Sequence, residues 1–270
     1  MKGMQVASTL TRLSRPGLMV RVSVNAWRVT LVVLALLSWE ALGRAYPVLL
    51  SYPTRVALTF PKLVTDHELL GHLGYSLATL ILGYVLAFAV ALAVGILLGT
   101  SRLLGRMAEP YVYAMYATPR VALVPLIVLW FGIGYRSVVF TLFLLAVFPI
   151  TIATMVGVRN ADSMYLEVAR AFRLSRWKTL LNVILPGAVP FVATGMRLGA
   201  GRAVTGLIIG EMFIRERGIG RLLDDAETGL IVDQIYALVI LIAVLGAAFP
   251  MIFKRLEQRL SAWRPATFDE

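Results

Sequence analysis

Residues 161–190 read ADSMYLEVARAFRLSRWKTLLNVILPGAVP, a polar stretch carrying Arg170, Arg173, Arg176 and Lys178 between two hydrophobic runs of an otherwise mostly apolar chain. Asp162 is placed to accept from a first-turn N–H. Tyr165, Val168, Ala169 and Phe172 then recur at i, i+3, i+4 and i+7, which makes one apolar stripe on a short helix. Ser175 is placed to cap a second short helix in which Trp177, Leu180, Leu181 and Ile184 share one side, and Pro186 ends or bends it before the next hydrophobic run. Two such helices, joined near Leu174, are expected to lie against a membrane face. A basic amphipathic segment there either rests on anionic lipid or engages a partner.

Composition makes the membrane the solvent. With 59% hydrophobic and 15% charged residues, a 270-residue chain holds more apolar surface than a soluble core can hide. The formal net charge of +11 also fits a nucleic-acid binder, but the Lys and Arg residues are scattered between apolar runs rather than gathered on one face. No nucleic-acid partner is expected. Zero Cys and two His exclude thiol nucleophiles, disulfide frameworks and His/Cys zinc sites.

A spanning helix needs about 20 apolar residues, and six segments come close to that: 27–46, 77–98, 111–131, 137–156, 191–213 and 235–253. The third is interrupted by Pro119, Arg120 and Pro125. The sequence therefore predicts an all-α integral membrane protein with six transmembrane helices. With the N-terminus inside, sixteen Lys/Arg fall on the cytoplasmic side and seven outside, so the positive-inside rule places both termini in the cytoplasm. The basic N-terminus resembles the start of a signal peptide, but the apolar run after it is long and lacks a clear small-residue cleavage site, so an uncleaved first helix is expected. The expected organisation is a cytoplasmic arm over 1–28, a membrane domain over 29–256 with the basic loop at about 159–186, and a cytoplasmic tail over 257–270. The external connections 47–76 and 214–234 are too short to fold alone.

Arg120, Arg197 and Arg202 fall within predicted spans, where a cation either faces a water-filled path or is neutralised by a partner. They are candidates for attracting an anionic solute; for all three the competing reading is pairing with Glu211 or backbone carbonyls, or snorkelling to a boundary. Gly195, Gly199, Gly201, Gly206 and Gly210 thread the fifth span and read as helix-packing residues that extend to a dimer contact, the alternative being a mobile pore-lining backbone. Glu211, Glu216, Asp224, Asp225, Glu227 and Asp233 near its outer end read as a solvated loop or as a dock for a basic partner. Trp130 and Phe131 read as an interfacial anchor of the third span. His67 and His72 lie five apart, poor spacing for one helical face, and no metal site is expected.

Glu167, Ala169, Ile184, Leu185 and Pro186 keep the spacing by which the basic loop resembles the EAA loop of the permease subunits of ATP-binding-cassette importers. Val168 stands where that family usually has Ala, and Arg173 occupies its usual Gly position, which leaves the sharpness of the break between the two helices open. Tyr52-Pro53-Thr54-Arg55-Val56, His72-Leu73-Gly74-Tyr75-Ser76-Leu77, the run from Pro119 to Gly134, Thr194-Gly195-Met196-Arg197-Leu198, Gly210-Glu211-Met212 and Gly218-Ile219-Gly220 are similar to the nitrate/sulfonate/taurine group of that family. The resemblance implies a type I importer permease fold and a division of labour. Cytoplasmic ATPase subunits supply energy, an extracytoplasmic binding protein delivers solute, and a second permease copy completes the path. Tyr165, Glu167, Val168, Ala169, Phe172, Arg173, Ile184, Leu185 and Pro186 would then couple the chain to its ATPase. No G-x-x-x-x-G-K-[ST] loop is present, so no cofactor is expected on this chain, and ATP and Mg belong to the partner. The group handles nitrate, sulfonates, taurine, bicarbonate and neutral pyrimidines related to thiamine. A secondary transporter would show acidic relays at mid-membrane, and an intramembrane hydrolase would need a nucleophile with a base; the spans supply little of either.

Overall fold

The computed structural model describes residues 17–260 apart from 48 and 216. Residues 1–16 of the expected arm, Glu216, and residues 261–270 of the expected tail lie outside the described residues. The chain is helical, with no strand among the described residues. The helices are α1 (Gly17–Ala45), α2 (Pro53–Asp66), α3 (Leu69–Thr100), α4 (Arg102–Ala117), α5 (Val124–Phe131), α6 (Tyr135–Arg159), α7 (Ser163–Ala171), α8 (Arg176–Thr179), α9 (Leu185–Ile214), α10 (Ile219–Thr228) and α11 (Val232–Leu260). A 3₁₀ turn, Arg120–Leu123, precedes α5, and a π turn, Leu180–Ile184, joins α8 to α9. Among the described residues five helices are long and apolar enough to cross a bilayer, and α4 with the 120–131 segment makes a sixth crossing if that bent pair counts as one span.

The third span is broken where Pro119, Arg120 and Pro125 interrupt the sequence. Its two halves meet at 87°. The cause is local: Thr118 precedes a proline and is driven to extended backbone (φ −65°, ψ 138°), which stops α4 at Ala117. Helix resumes only once Pro125 occupies the first turn of α5, where its missing N–H costs nothing.

The described residues up to 58 and those from 59 onward form separate compact units. In the first, the end of α1 is fastened to the start of α2. Trp39 Nε1 donates to Ser51 O (2.8 Å), and Glu40 accepts from Thr54 N (3.1 Å) and Thr54 Oγ1 (2.9 Å), serving as a borrowed N-cap for α2. Pro53 takes the first helical position of α2, so the stretch 47–76 holds a 14-residue helix rather than a loop.

In the second unit α6 lies between α3 and α9, and α11 packs on α9. The core is Leu80, Tyr84, Ala87 and Ala91 of α3, Val138, Leu142, Ala146 and Ile150 of α6, and Ala200, Ala203, Val204 and Leu207 of α9. Glycines set the interhelical distance: Leu142 is held between Gly83 and Gly206, and a Cβ at Gly206 would lie 2.7 Å from the Leu142 Cα. Gly195 and Gly199 face Ile150 in the same way, so these three glycines of α9 serve α6 of their own chain. Burial of such small-on-large seams gives dispersion contacts that lipid cannot match.

The stretch 214–234 also differs from a solvated loop. It contains α10, whose Ile219, Gly220, Leu223 and Ala226 are buried. Asp224 pairs with Arg215 (2.5 Å) and Asp225 with Arg221 (3.4 Å), while Glu227 is exposed.

Candidate functional sites: the basic segment, the arginines and the outer elbow

The basic segment starts as its caps dictate. Asp162 accepts from Met164 N (2.9 Å), and Ser175 Oγ accepts from Lys178 N (3.4 Å). Between them the chain closes α7 with a Schellman turn: Leu174 N donates to Ala169 O (3.0 Å) and Arg173 N to Arg170 O (2.9 Å). Arg173 takes the left-handed position at φ 49°. The break is therefore sharp without the usual glycine, at the cost of about 1 kcal/mol that a Cβ adds in this region.

Beyond Ser175 the chain does not form a separate short helix. Leu185 N donates to Leu180 O, a π-type i to i−5 bond. Pro186 sits in the first turn of α9 and does not bend the chain away. As a result residues Arg176–Ile214 run on as one 39-residue helical member.

Tyr165, Val168 and Phe172 are exposed, Phe172 at 77%, while Ala169 between them is buried. These four residues, with Leu174, Asn182, Val183, Pro186 and Gly187, line a hollow of about 440 Å³. The structure thus brings Tyr165, Val168, Ala169, Phe172 and Pro186 together. Glu167 is exposed outside that hollow, and the α7 cap is Asp162 rather than Glu167. Ile184 faces a different cavity, beside Leu166, and Leu185 begins α9 half-buried.

The three span arginines separate. Arg197 Nε donates to Glu257 (2.8 Å), which also accepts from Thr194 Oγ1 (2.5 Å). Its partner is therefore Glu257, not Glu211, and residue 257 belongs to α11, not to a detached tail. Arg120 is buried, at 8% exposure. Its Nη1 donates to Leu144 O (3.2 Å) and Leu145 O (3.4 Å), and its guanidinium lies 5.3 Å from the ring centres of both Tyr116 and Phe148. Pro149 explains the acceptors: lacking an N–H, it leaves Leu145 O without its helical donor, and Arg120 takes the place. Arg202 is exposed and within electrostatic reach of Arg120. Neither has a carboxylate partner among the described residues.

Glu211, expected near solvent, is fully buried. Its Oε1 accepts from Ser76 Oγ (2.7 Å) and its Oε2 from Gly220 N (2.9 Å). Ser76 Oγ accepts in turn from Ile219 N (2.9 Å), and His72 Nδ1 lies 3.0 Å from Gly218 N. Gly218, at φ 116°, lies against the Glu211 carboxylate so closely that a Cβ there would strike it. This knot ties α3, α9 and α10 at one elbow. The sequence carried a signal for it in Gly210-Glu211 and Gly218-Ile219-Gly220, but not the burial. His67 accepts from Gln234 Nε2 (3.0 Å), so the two histidines serve different contacts.

Among the described residues, five to six stretches long and apolar enough to cross a bilayer, one of them within the 39-residue member, define a multi-pass membrane protein. Residues 83–262 match the family described as binding-protein-dependent transport system inner membrane component, and the chain belongs to that family. It is a transport subunit of the inner membrane and not an enzyme. A similar relative is the putative aliphatic sulfonates transport permease protein SsuC of Bacillus subtilis, 33% identical over 84% of this chain and 83% of its own length. Another is the taurine transport system permease protein TauC of Escherichia coli K12, 30% identical over 87% and 88%. Among solved structures, the inward-facing MetNI methionine ABC transporter matches with a TM-score of 0.60 at 17% identity, over 71% of this chain and 95% of that one. The fold is that of type I importer permeases.

Proposed function

We propose that this chain forms the translocation path of an ATP-driven importer for small organic sulfonates, aliphatic or taurine-like. Cytoplasmic ATPase subunits power it using ATP and Mg, an extracytoplasmic binding protein delivers the solute, and a second copy of the chain completes the pore. Both termini lie in the cytoplasm. The observation that carries the coupling role is the stripe of Tyr165, Val168 and Phe172, exposed around a hollow at the base of α9. Large apolar groups kept in water suit insertion into a partner's groove. Closure of the ATPase dimer would push on this stripe and shift the packed spans between discrete arrangements.

Relatives named for sulfonates, together with Arg120 and Arg202, support an anionic solute. A sulfonate stays charged at physiological pH and presents oxygens that suit a guanidinium fork. Arg120 is oriented by Leu144 and Leu145 carbonyls through one nitrogen only, which leaves most of its five N–H donors to spare. In reconstituted complexes Phe172→Asp and Glu167→Lys are expected to abolish solute-stimulated ATP hydrolysis while the chain remains inserted. Unchanged stimulation in both variants discards the coupling role. Arg120→Gln is expected to slow taurine uptake; uptake unaltered in rate and affinity removes the anion reading.

A further inference from the structure

Where α3 ends and α4 begins, a cavity of about 390 Å³ opens between the ends of three elements. Arg102 and Arg106 of α4 and Arg159 at the end of α6 line it, together with Leu166 of α7 and Ile184 of the π turn. Arg102 and Arg106 lie one helical turn apart, so their side chains share a face. Gly105 between them makes room for a third guanidinium: a Cβ there would strike Arg159 Nη2 and approach Leu98 O at 2.5 Å. Only Arg159 is neutralised, by Glu109 at 2.6 Å. Arg102 and Arg106 have no acidic partner among the described residues, so the cavity keeps an excess of positive charge.

We propose that this cavity binds the phosphate of an anionic phospholipid from the cytoplasmic leaflet. Two observations favour a lipid over a free phosphate. The cavity lies at the ends of α3 and α6, both membrane-spanning, where headgroups of one leaflet are found. Beside the arginines, Leu103, Leu104 and Met107 are exposed, Leu103 at 70%, which gives acyl chains an apolar surface next to the charge. Basic pockets between spanning helices at the cytoplasmic side suit anionic headgroups. Because Leu166 and Ile184 also line the cavity, an occupied site joins α4 to the segment proposed to couple to the ATPase. The leaflet assignment rests on the orientation proposed above, but retention of the lipid does not depend on coupling.

The test is native mass spectrometry of the purified chain released from mixed micelles of phosphatidylglycerol and phosphatidylcholine. The wild type is expected to retain phosphatidylglycerol selectively. Each arginine beside an anionic surface contributes about fivefold, so Arg102→Gln with Arg106→Gln should cut the preference roughly thirtyfold. Arg176→Gln with Lys178→Gln, outside the cavity, should leave it within about twofold. Equal retention of both lipids by the wild type, or equal loss in the two double variants, overturns the proposal. Displacement of the lipid by millimolar inorganic phosphate assigns the site to a soluble anion and also overturns it. Loss of coupling in Phe172→Asp with selective retention intact sets the two readings apart.

Discussion

Replacing Glu211 by Ala removes the acceptor for two buried donors, Ser76 Oγ and Gly220 N. Each buried donor left without a partner costs about 1–3 kcal/mol, so the loss is about 4 kcal/mol before any cavity term. Glu211→Gln keeps the shape and one acceptor oxygen; its amide faces a donor at the other site, and the loss falls to about 2 kcal/mol. Ser76→Ala removes one donor to the carboxylate and the acceptor for Ile219 N, and belongs between the two. The assay is denaturant unfolding in mixed micelles, monitored by tryptophan fluorescence. The order wild type, Gln, Ala is the signature of a fully enclosed carboxylate that organises three helices. Glu211→Ala within about 0.5 kcal/mol of wild type would mean that water reaches the elbow, and the reasoning from burial would fail.

Arg173→Gly places the residue without a Cβ at φ 49° and should stabilise the turn after α7 by about 0.5–1 kcal/mol, read as a higher unfolding midpoint. Gly206→Ala drives a methyl against the Leu142 backbone and should cost about 1–3 kcal/mol, whereas Gly187→Ala, helical and with nothing within 4 Å, should stabilise by about 0.5–1 kcal/mol in the same assay. Arg197 and Glu257 are both partly exposed, so a double-mutant cycle to Ala should return a coupling of no more than about 1 kcal/mol.

The long helices and the caps of the basic segment were legible because a run of apolar residues and an Asp or Ser before a turn act locally. Asp162 and Ser175 cap where their positions say they should. Events decided by distant chain were not legible. Nothing near Glu211 in sequence reveals that Ser76, 135 residues away, donates to it. Glu257 reads as part of a tail because a charge after the last apolar run suggests solvent, yet it meets Arg197 across 60 residues. Arg120 stands between these cases: Pro119 signals the break, but the carbonyl that receives its guanidinium is freed by Pro149 on another helix. Pro186 misleads in the opposite sense, because in a helix's first turn proline continues the chain instead of ending it.

Residues Arg176–Ile214 form one helical rod that at about 1.5 Å per residue extends roughly 58 Å. One tip adjoins the stripe around Phe172, and the other carries Glu211. A displacement at one tip is therefore expected to reach the other through unbroken helix, without a loop between them to absorb it.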